Sequence, residues 1–445
     1  MEKKSLTVRK RRIGDLLICL CALLPLVLWL LTESPEPRGR GFYTHAALVN
    51  AGQVAGMVGM AMLSIAFVLS SRARFLEDYF GGLDKMYWIH HRLGQTAFVL
   101  LLIHPVAHAL RFVPDRFGKA LIFLFPIHEK LAVNLGAYAF WGLLLLMVLT
   151  LFVKIPYDKW KLSHKFLGLV LIIGTIHMLT VPSTPGRPVA VQNPILRYYL
   201  LGLAVLGMVS FGYKLIALPL LSRRHMYTVK TGKKLSDEVI QIELSPHRRP
   251  VAFVPGQFVF VTFYQEGLPR EAHPFTICTV QEQKEIDLTV KALGDFTETL
   301  YRQLRSGAMA KVEGPYGRFD YRMGSSQQIW IAAGIGVTPF LSWVRHMEQT
   351  QDSTYRATFY YCVHRRSDAV QYREFKRIAA QQVNLQVALV CSEERGHLRA
   401  TDIGDLDDKD IFMCGPKGFT ADLQRQFVQL GVAGDRIHFE DFEFR

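Results

Sequence analysis

Six histidines fall inside long apolar stretches, where an ionisable side chain is expensive to place and is usually there for function. His90, His91, His104 and His108 lie in the run 87–113, and His164 and His177 in the run 162–181. The fourteen-residue step from His90 to His104 advances about 21 Å along a helix and returns to within about 40° of the same face. Two imidazoles then lie near opposite ends of one helix. The thirteen-residue step from His164 to His177 covers about 20 Å with a poorer angular match, which calls for a helix distortion or a side-chain adjustment. Imidazole is a good axial ligand for haem iron, and two facing pairs suit two haems stacked along the helices. The competing reading is a histidine bonded to a neighbouring carbonyl in the bundle. Four histidines at matched depths on two helices favour ligation by His90, His104, His164 and His177. His91 competes with His90: it has the thirteen-residue spacing, whereas His90 has the better helical phase and is favoured. His90 and His164 each precede a glycine by four residues, Gly94 and Gly168, where a missing side chain lets a macrocycle approach the backbone.

The elements that position these residues follow from the hydropathy pattern. Apolar runs cover 16–31, 46–69, 87–113, 131–153, 162–181 and 195–221, most of them near the roughly 20 residues that cross a bilayer. The first is short and contains Pro25; with no small-residue cleavage site after it, it reads as a helix rather than a signal peptide. Six spans put both termini on one side. The basic N-terminus, with Arg72, Arg74, Lys154, Lys159 and Lys161 in alternate loops, makes that side the cytosol, although the 111–130 loop carries four basic residues of its own. The +14 formal charge fits a lipid-facing and phosphate-binding surface, and Lys3, Lys4, Arg9, Lys10, Arg11 and Arg12 read as a membrane flank, not a nucleic-acid site. Six cysteines show no zinc spacing and read as reduced thiols. At 445 residues the chain needs two or three domains, with a break near Ser222-Arg223-Arg224.

Beyond that break the periods are those of soluble domains. Between Tyr227 and Arg322, short alternating strands such as 239–244 and 258–263 are broken by proline and glycine, which suits an antiparallel barrel. From Gln328, strands and helices alternate as in a doubly wound parallel sheet. The strand 329–332 runs into Gly334-Ile335-Gly336-Val337-Thr338-Pro339 and then an amphipathic helix, a setting in which phosphate meets backbone N–H groups at a helix start. Lys291, Gly294 and Thr297 offer a cation, a bare backbone and a hydroxyl to a pyrophosphate.

With these motifs the chain resembles the ferric reductase and NADPH oxidase superfamily from about Tyr87 to Arg445. The resemblance implies a multi-domain membrane protein: a six-helix transmembrane haem bundle (1–221), a ferredoxin-reductase-like antiparallel β-barrel for FAD (222–323) and an α/β nucleotide-binding domain for NADPH or NADH (324–445). Pro255-Gly256-Gln257-Phe258 and His273-Pro274-Phe275-Thr276 resemble its flavin signatures, with Thr276 near the isoalloxazine. His273 stands where many ferredoxin reductases have arginine, which points to the oxidase branch. Gly334, Gly336, Thr338 and Pro339 resemble its nucleotide loop. Cys414-Gly415-Pro416, after the strand 411–413, resembles its segment beside the nicotinamide, with Cys414 shaping hydride approach; its alternative is a buried small hydrophobe. Arg365 and Arg366, after the strand 357–363, are suited to the 2′-phosphate of NADPH. Phe442, chosen over Phe444, resembles the ring that stacks on the flavin. The implied activity is an NAD(P)H oxidase passing electrons through FAD and two b-type haems to molecular oxygen across the lipid bilayer, with His108 assisting near the outer haem. A ferric or cupric chelate reductase uses the same core. No EF-hand, SH3 ligand or peroxidase-like extension is seen, so activity without an obligate protein partner is expected.

Overall fold

The computed structural model describes residues 2–31, 42–181, 193–280 and 283–440. It holds six helical segments long and apolar enough to cross a membrane, Arg12–Leu30, Ala47–Leu69, Leu83–Leu110, Leu131–Leu151, Tyr157–Thr180 and Pro194–Ser222. They belong to α1 (Glu2–Leu30), α2 (Phe42–Leu69), α4 (Leu83–Leu110), α6 (Leu131–Leu151), the pair α7 (Tyr157–Lys165) and α8 (Leu167–Thr180), and α9 (Pro194–Gly212) running through a π-helical turn, Tyr213–Ala217, into α10 (Leu218–Ser222). Short helices α3 (Arg74–Phe80) and α5 (Phe117–Leu124) lie in two of the connections. The six runs are thus recovered to within a few residues, but the fifth is not one helix: it breaks at Phe166, between its two histidines.

Packing in this part is carried by small and branched residues. α6 lies against α8 and α2 against α9, and Ala61, Ala97, Leu171 and Ala204 are fully buried between helices. Outward, Leu20, Leu145, Phe152, Leu169 and Val209 are exposed. A belt of this kind is stable only against hydrocarbon, and helices satisfy their own backbone groups there. This part is an integral membrane domain. The main division of the chain, apart from the short segments 1–10 and 81–84, falls between Leu218 and Pro219, three residues before the break expected from composition.

The part after Ser222 opens with six antiparallel strands: β1 (Met226–Lys234), β2 (Val239–Pro246), β3 (Phe258–Tyr264), β4 (His273–Thr276), β5 (Ile286–Lys291) and β6 (Met309–Tyr316), ordered β4-β3-β6-β1-β2-β5. The two edge strands meet through an Ile277–Leu288 bridge, which closes the sheet into a barrel around Val229, Ile242, Val259, Val261, Phe263 and Leu288. Helix α11 (Asp295–Gln303) joins β5 to β6.

Next come five parallel strands, β7 (Gln327–Ala333), β8 (Arg356–Val363), β9 (Leu385–Cys391), β10 (Asp410–Cys414) and β11 (Ile437–Glu440), ordered β11-β10-β7-β8-β9. One face packs Trp330, Phe359 and Phe412 against α12 (Thr338–Thr350) and α13 (Tyr372–Gln381). The other packs Ile331, Ile411 and Met413 against α15 (Lys417–Gln429). Helix α14 (Ser392–Arg395) follows β9. The strand order reverses between β7 and β10, and in doubly wound sheets ligands bind in the crevice at that point, beyond the strands' carboxyl ends.

Candidate functional site

The four transmembrane histidines form two pairs of the same geometry. The rings of His90 and His164 lie 6.2 Å apart at 70°, and those of His104 and His177 lie 6.2 Å apart at 69°. In three of the four, Nδ1 donates to a helix carbonyl: His90 to Ala66 at 2.8 Å, His104 to Gly52 at 2.8 Å and His177 to Ala132 at 2.7 Å. His164 Nδ1 lies 3.4 Å from the Thr150 hydroxyl, and its ring stacks on Trp160 at 5.2 Å. A carbonyl on Nδ1 fixes the tautomer and leaves Nε2 as the free base, the usual arrangement behind a metal-ligating histidine. Ring centres 6.2 Å apart in both pairs leave a gap between the rings on the scale of one bound ion. Among the described residues no group of three or more His, Cys, Asp or Glu side chains can hold a metal ion unaided. Two imidazoles at each level are a donor set that an iron already carried by a macrocycle would accept.

The break at Phe166 supplies the distortion that the thirteen-residue step required. His164 sits at the end of α7 and His177 near the end of α8, each opposite its partner on the continuous α4. Of the two neighbours on α4, His90 faces His164, whereas His91 is exposed and bonded to Gln95 at 3.0 Å. His108 lies edge-on to His104 with centroids 5.0 Å apart. The glycine reading is corrected at Gly168, where the space for a side chain is filled by the Phe211 ring, 2.5 Å from a Cβ placed there; Gly94 is open. The glycines that press on the histidines are others. A Cβ on Gly56 would meet His104 at 2.6 Å, one on Gly52 would meet His108 at 2.9 Å, and one on Gly136 would meet His177 at 2.7 Å. Gly52 and Gly56, one helical turn apart, were the available sequence signal.

In the barrel, β4 alternates, and this splits the four-residue flavin signature. His273 and Phe275 pair with Val261 and Val259 on the core face, while Pro274 and Thr276 pair with Phe260 and Phe258 on the other. Phe275 belongs to the barrel core, and His273 stacks on Phe296 at 3.8 Å with its Nε2 2.9 Å from a Glu271 carboxylate oxygen. Only Pro274 and Thr276 of the four turn their side chains away from the core. Gly256 has φ +88°, and a Cβ there would lie 2.0 Å from the Phe319 carbonyl, so no other residue fits the turn. Lys291 pairs with Glu238 at 3.3 Å. Thr297 Oγ1 accepts the N–H groups of Leu293 at 2.9 Å and Gly294 at 3.1 Å, which shapes the start of α11, while Gly294 itself is open above its Cα.

In the nucleotide domain both candidate loops reach the switch point. Gly334 (φ +54°) and Gly336 follow β7; Gly415 and Pro416 follow β10. The loops touch only because both lack side chains: a Cβ on Gly336 would strike the Cys414 carbonyl at 2.3 Å, and one on Gly415 would strike Ala333 at 2.8 Å. Thr338 and Pro339 are buried at the start of α12, with Thr338 Oγ1 donating to the Ile335 carbonyl at 3.1 Å; they anchor the loop. Cys414 closes β10 instead of following it and is fully buried beside the aromatic core. Arg365 and Arg366 are exposed beyond β8 and face carboxylates from α14, with Arg365 Nε 3.7 Å from Glu393 and Arg366 Nε 3.6 Å from Glu394. Sequence reasoning missed both acids. Phe442 and Phe444 lie outside the described residues.

Residues 55–175 match the family described as ferric reductase like transmembrane component, residues 223–320 an FAD-binding domain, and residues 330–425 an oxidoreductase NAD-binding domain. The flavohemoprotein of Vibrio cholerae serotype O1 is 25% identical over 204 residues, 43% of this chain and 51% of that protein. Dual oxidase 2 of Rattus norvegicus is 26% identical over 308 residues, 61% of this chain and 19% of its own length. NADPH oxidase 3 of Rattus norvegicus is 32% identical over 135 residues, 27% of this chain and 23% of its own. The chain thus spans about half the length of the flavohemoprotein and a smaller share of the two oxidases. A ferric-reductase-like membrane component followed in order by FAD- and NAD-binding domains, with oxidases among its relatives, makes this chain a member of the ferric reductase and NADPH oxidase superfamily.

Proposed function

We propose that the protein is a transmembrane NAD(P)H oxidase that moves electrons from cytosolic NAD(P)H through FAD and two b-type haems to molecular oxygen on the opposite side, forming superoxide. The observation that carries this reading is the repetition of one histidine-pair geometry at two levels of an apolar bundle, each pair 6.2 Å apart, in a chain that continues into FAD- and NAD-binding domains. Bound in these sites, FAD supplies the exchange of a hydride pair for single electrons, and haem supplies one-electron transfer.

The chain's own residues hold and insulate. His90 with His164, and His104 with His177, would hold the two haems, with His90, His104 and His177 oriented by the Ala66, Gly52 and Ala132 carbonyls. The Gly334–Pro339 and Cys414–Pro416 loops offer bare backbone to the dinucleotide at the switch point, and Thr276 with Pro274 lines the flavin side of β4. Arg365 and Arg366 take the 2′-phosphate of NADPH, and Lys291, Gly294 and Thr297 the FAD pyrophosphate. His108, whose ring lies 5.0 Å from that of His104, would offer electrostatic help to an anion formed beside the His104–His177 pair. Both termini are cytosolic.

The test is anaerobic addition of NADPH to FAD-loaded protein, followed by visible spectra, and then superoxide-dismutase-sensitive dye reduction in air. Reduced b-type haem bands and dismutase-sensitive reduction are expected. Rapid ferric-chelate reduction with negligible superoxide would instead assign the same electron path to a metal reductase.

A further inference from the structure

The helix that leaves the glycine loop is also the one tied to the barrel. Along α12, Thr338, Ser342 and Arg345 recur at i, i+4 and i+7, one face of a helix, and each meets a barrel residue. The Cys278 thiol lies 4.0 Å from the Thr338 carbonyl, and Ser342 Oγ accepts the Gly256 N–H at 3.3 Å. Arg345 makes the strongest of these ties. Its Nη1 donates to the Cys278 carbonyl at 2.8 Å and lies 3.5 Å from Asp287 Oδ2, while Nε and Nη2 grip both oxygens of Glu374 at 2.7 and 2.9 Å. Arg345, Asp287 and Glu374 are all largely buried, and burial holds the Asp287 carboxyl above the usual carboxylate range. One planar fork therefore joins three elements: α12, α13 and the barrel segment immediately after β4. Only a guanidinium can bond a carboxylate bidentately and still reach a carbonyl with its third nitrogen.

We propose that Arg345 is a positioning residue for hydride transfer: it fixes the nucleotide crevice relative to the flavin face by tying the helix after Gly334–Val337 to the residue two places beyond Thr276. The proposal rests on the NAD(P)H–FAD reading above. Its physical basis is the steepness of transfer with geometry, since a misplacement of about 1 Å costs on the order of a hundredfold in rate. Arg345 touches neither coenzyme loop, so its loss leaves the binding groups intact while their spacing loosens.

The experiment compares the full chain with R345Q and R345K. Anaerobic stopped-flow mixing with NADPH gives the dissociation constant and the limiting rate of flavin bleaching, and hydrogen exchange of residues 277–289 is followed in FAD-free protein. For R345Q the limiting rate falls roughly 30- to 100-fold, while FAD content and the NADPH dissociation constant stay within about threefold and exchange rises about tenfold. R345K keeps the charge without the fork and recovers only part of the rate. An R345Q rate within about threefold of the parent, or loss of FAD by both variants, would overturn the proposal. Failure of both NADPH and NADH to bleach the parent flavin would remove the hydride reading itself, and the proposal with it.

Discussion

Replacing Gly136 by alanine tests the His104–His177 pair without substituting either histidine. The new Cβ would lie 2.7 Å from His177 Cε1 and 2.9 Å from Nδ1, against ordinary contact at 3.4–4 Å. The ring must therefore retreat by about 0.7 Å or more to reach the close end of normal packing. It is not free to do so, because Nδ1 is bonded at 2.7 Å to the Ala132 carbonyl, one turn earlier on the same helix. Overpacking costs about 1–3 kcal/mol and the strained hydrogen bond about 0.5–1.5 kcal/mol more. Together these weaken ligation at that level by roughly 10- to 2,000-fold. Alanine's better helix propensity returns about 1 kcal/mol to the helix as a whole, so the protein stays folded. Gly202→Ala, on α9 where a Cβ meets nothing within 4 Å, is the control. The assay is haem content by pyridine haemochrome against flavin fluorescence, with low-spin haem resonances to tell the two levels apart. One haem per flavin is expected for Gly136→Ala and two for Gly202→Ala. Two haems with unchanged resonances in Gly136→Ala would refute the claim that His177 is a ligand held from α6.

Removing the charges of Arg365 and Arg366 together should raise the Michaelis constant for NADPH by about 10- to 100-fold, the worth of charge-assisted bonds to a phosphate, and that for NADH by less than about threefold; steady-state kinetics with both coenzymes decide it. Glu393→Gln with Glu394→Gln should act in the opposite sense and lower the NADPH constant by about two- to fivefold, since exposed ion pairs are weak competitors. Burial pushes the Cys278 thiol from its ordinary 9.0 up to about 11. A raised thiol pKa adds stability that is complete below about pH 9 and is lost as pH rises through about 11. Native Cys278 should therefore resist iodoacetamide at pH 8–9 and react once unfolded, and peptide mass spectrometry reads both states.

The spans, the four histidines, the barrel and the parallel sheet were all legible because each rests on periodicity or on a costly residue in an apolar run. What escaped was pairwise in space. The β4 signature reads as one motif along the chain, yet a strand's twofold alternation sends His273 and Phe275 to the core and Pro274 and Thr276 to the opposite face. Cys414 adjoins a glycine-proline turn and looked loop-borne, but the last residue of a buried parallel strand is core. Arg365 and Arg366 looked like free cations because Glu393 and Glu394 come from the next strand's end, 28 residues further along. The break at Phe166 was anticipated only as a mismatch of helical phase; no proline marks it, and the nearby Gly168 packs against Phe211.

The carbonyls that orient the histidines lie deeper still, since they belong to backbone that any residue supplies. Ala66 and Gly52 are fourteen residues apart on α2, as His90 and His104 are on α4, and the later residue of one helix serves the earlier of the other. The two helices therefore run antiparallel, and a single register sets both levels of the site. The Ala66 carbonyl keeps its helical bond to the Ser70 N–H at 3.0 Å while accepting from His90 at 2.8 Å. A carbonyl has two lone pairs, so the helix loses nothing by the second bond. Side-chain substitution at Ala66 leaves that acceptor in place, whereas a shift of α2 along α4 removes the acceptors of His90 and His104 together. The close approach that prevents such a shift comes from Gly56 and Gly59, where Cβ atoms would meet His104 at 2.6 Å and Leu101 at 2.9 Å. On the other side α6 plays the same part, with Ala132 behind His177 and Thr150 behind His164. Each histidine-bearing helix is thus oriented by a neighbour, and α2 and α6 determine where the histidines of α4, α7 and α8 point.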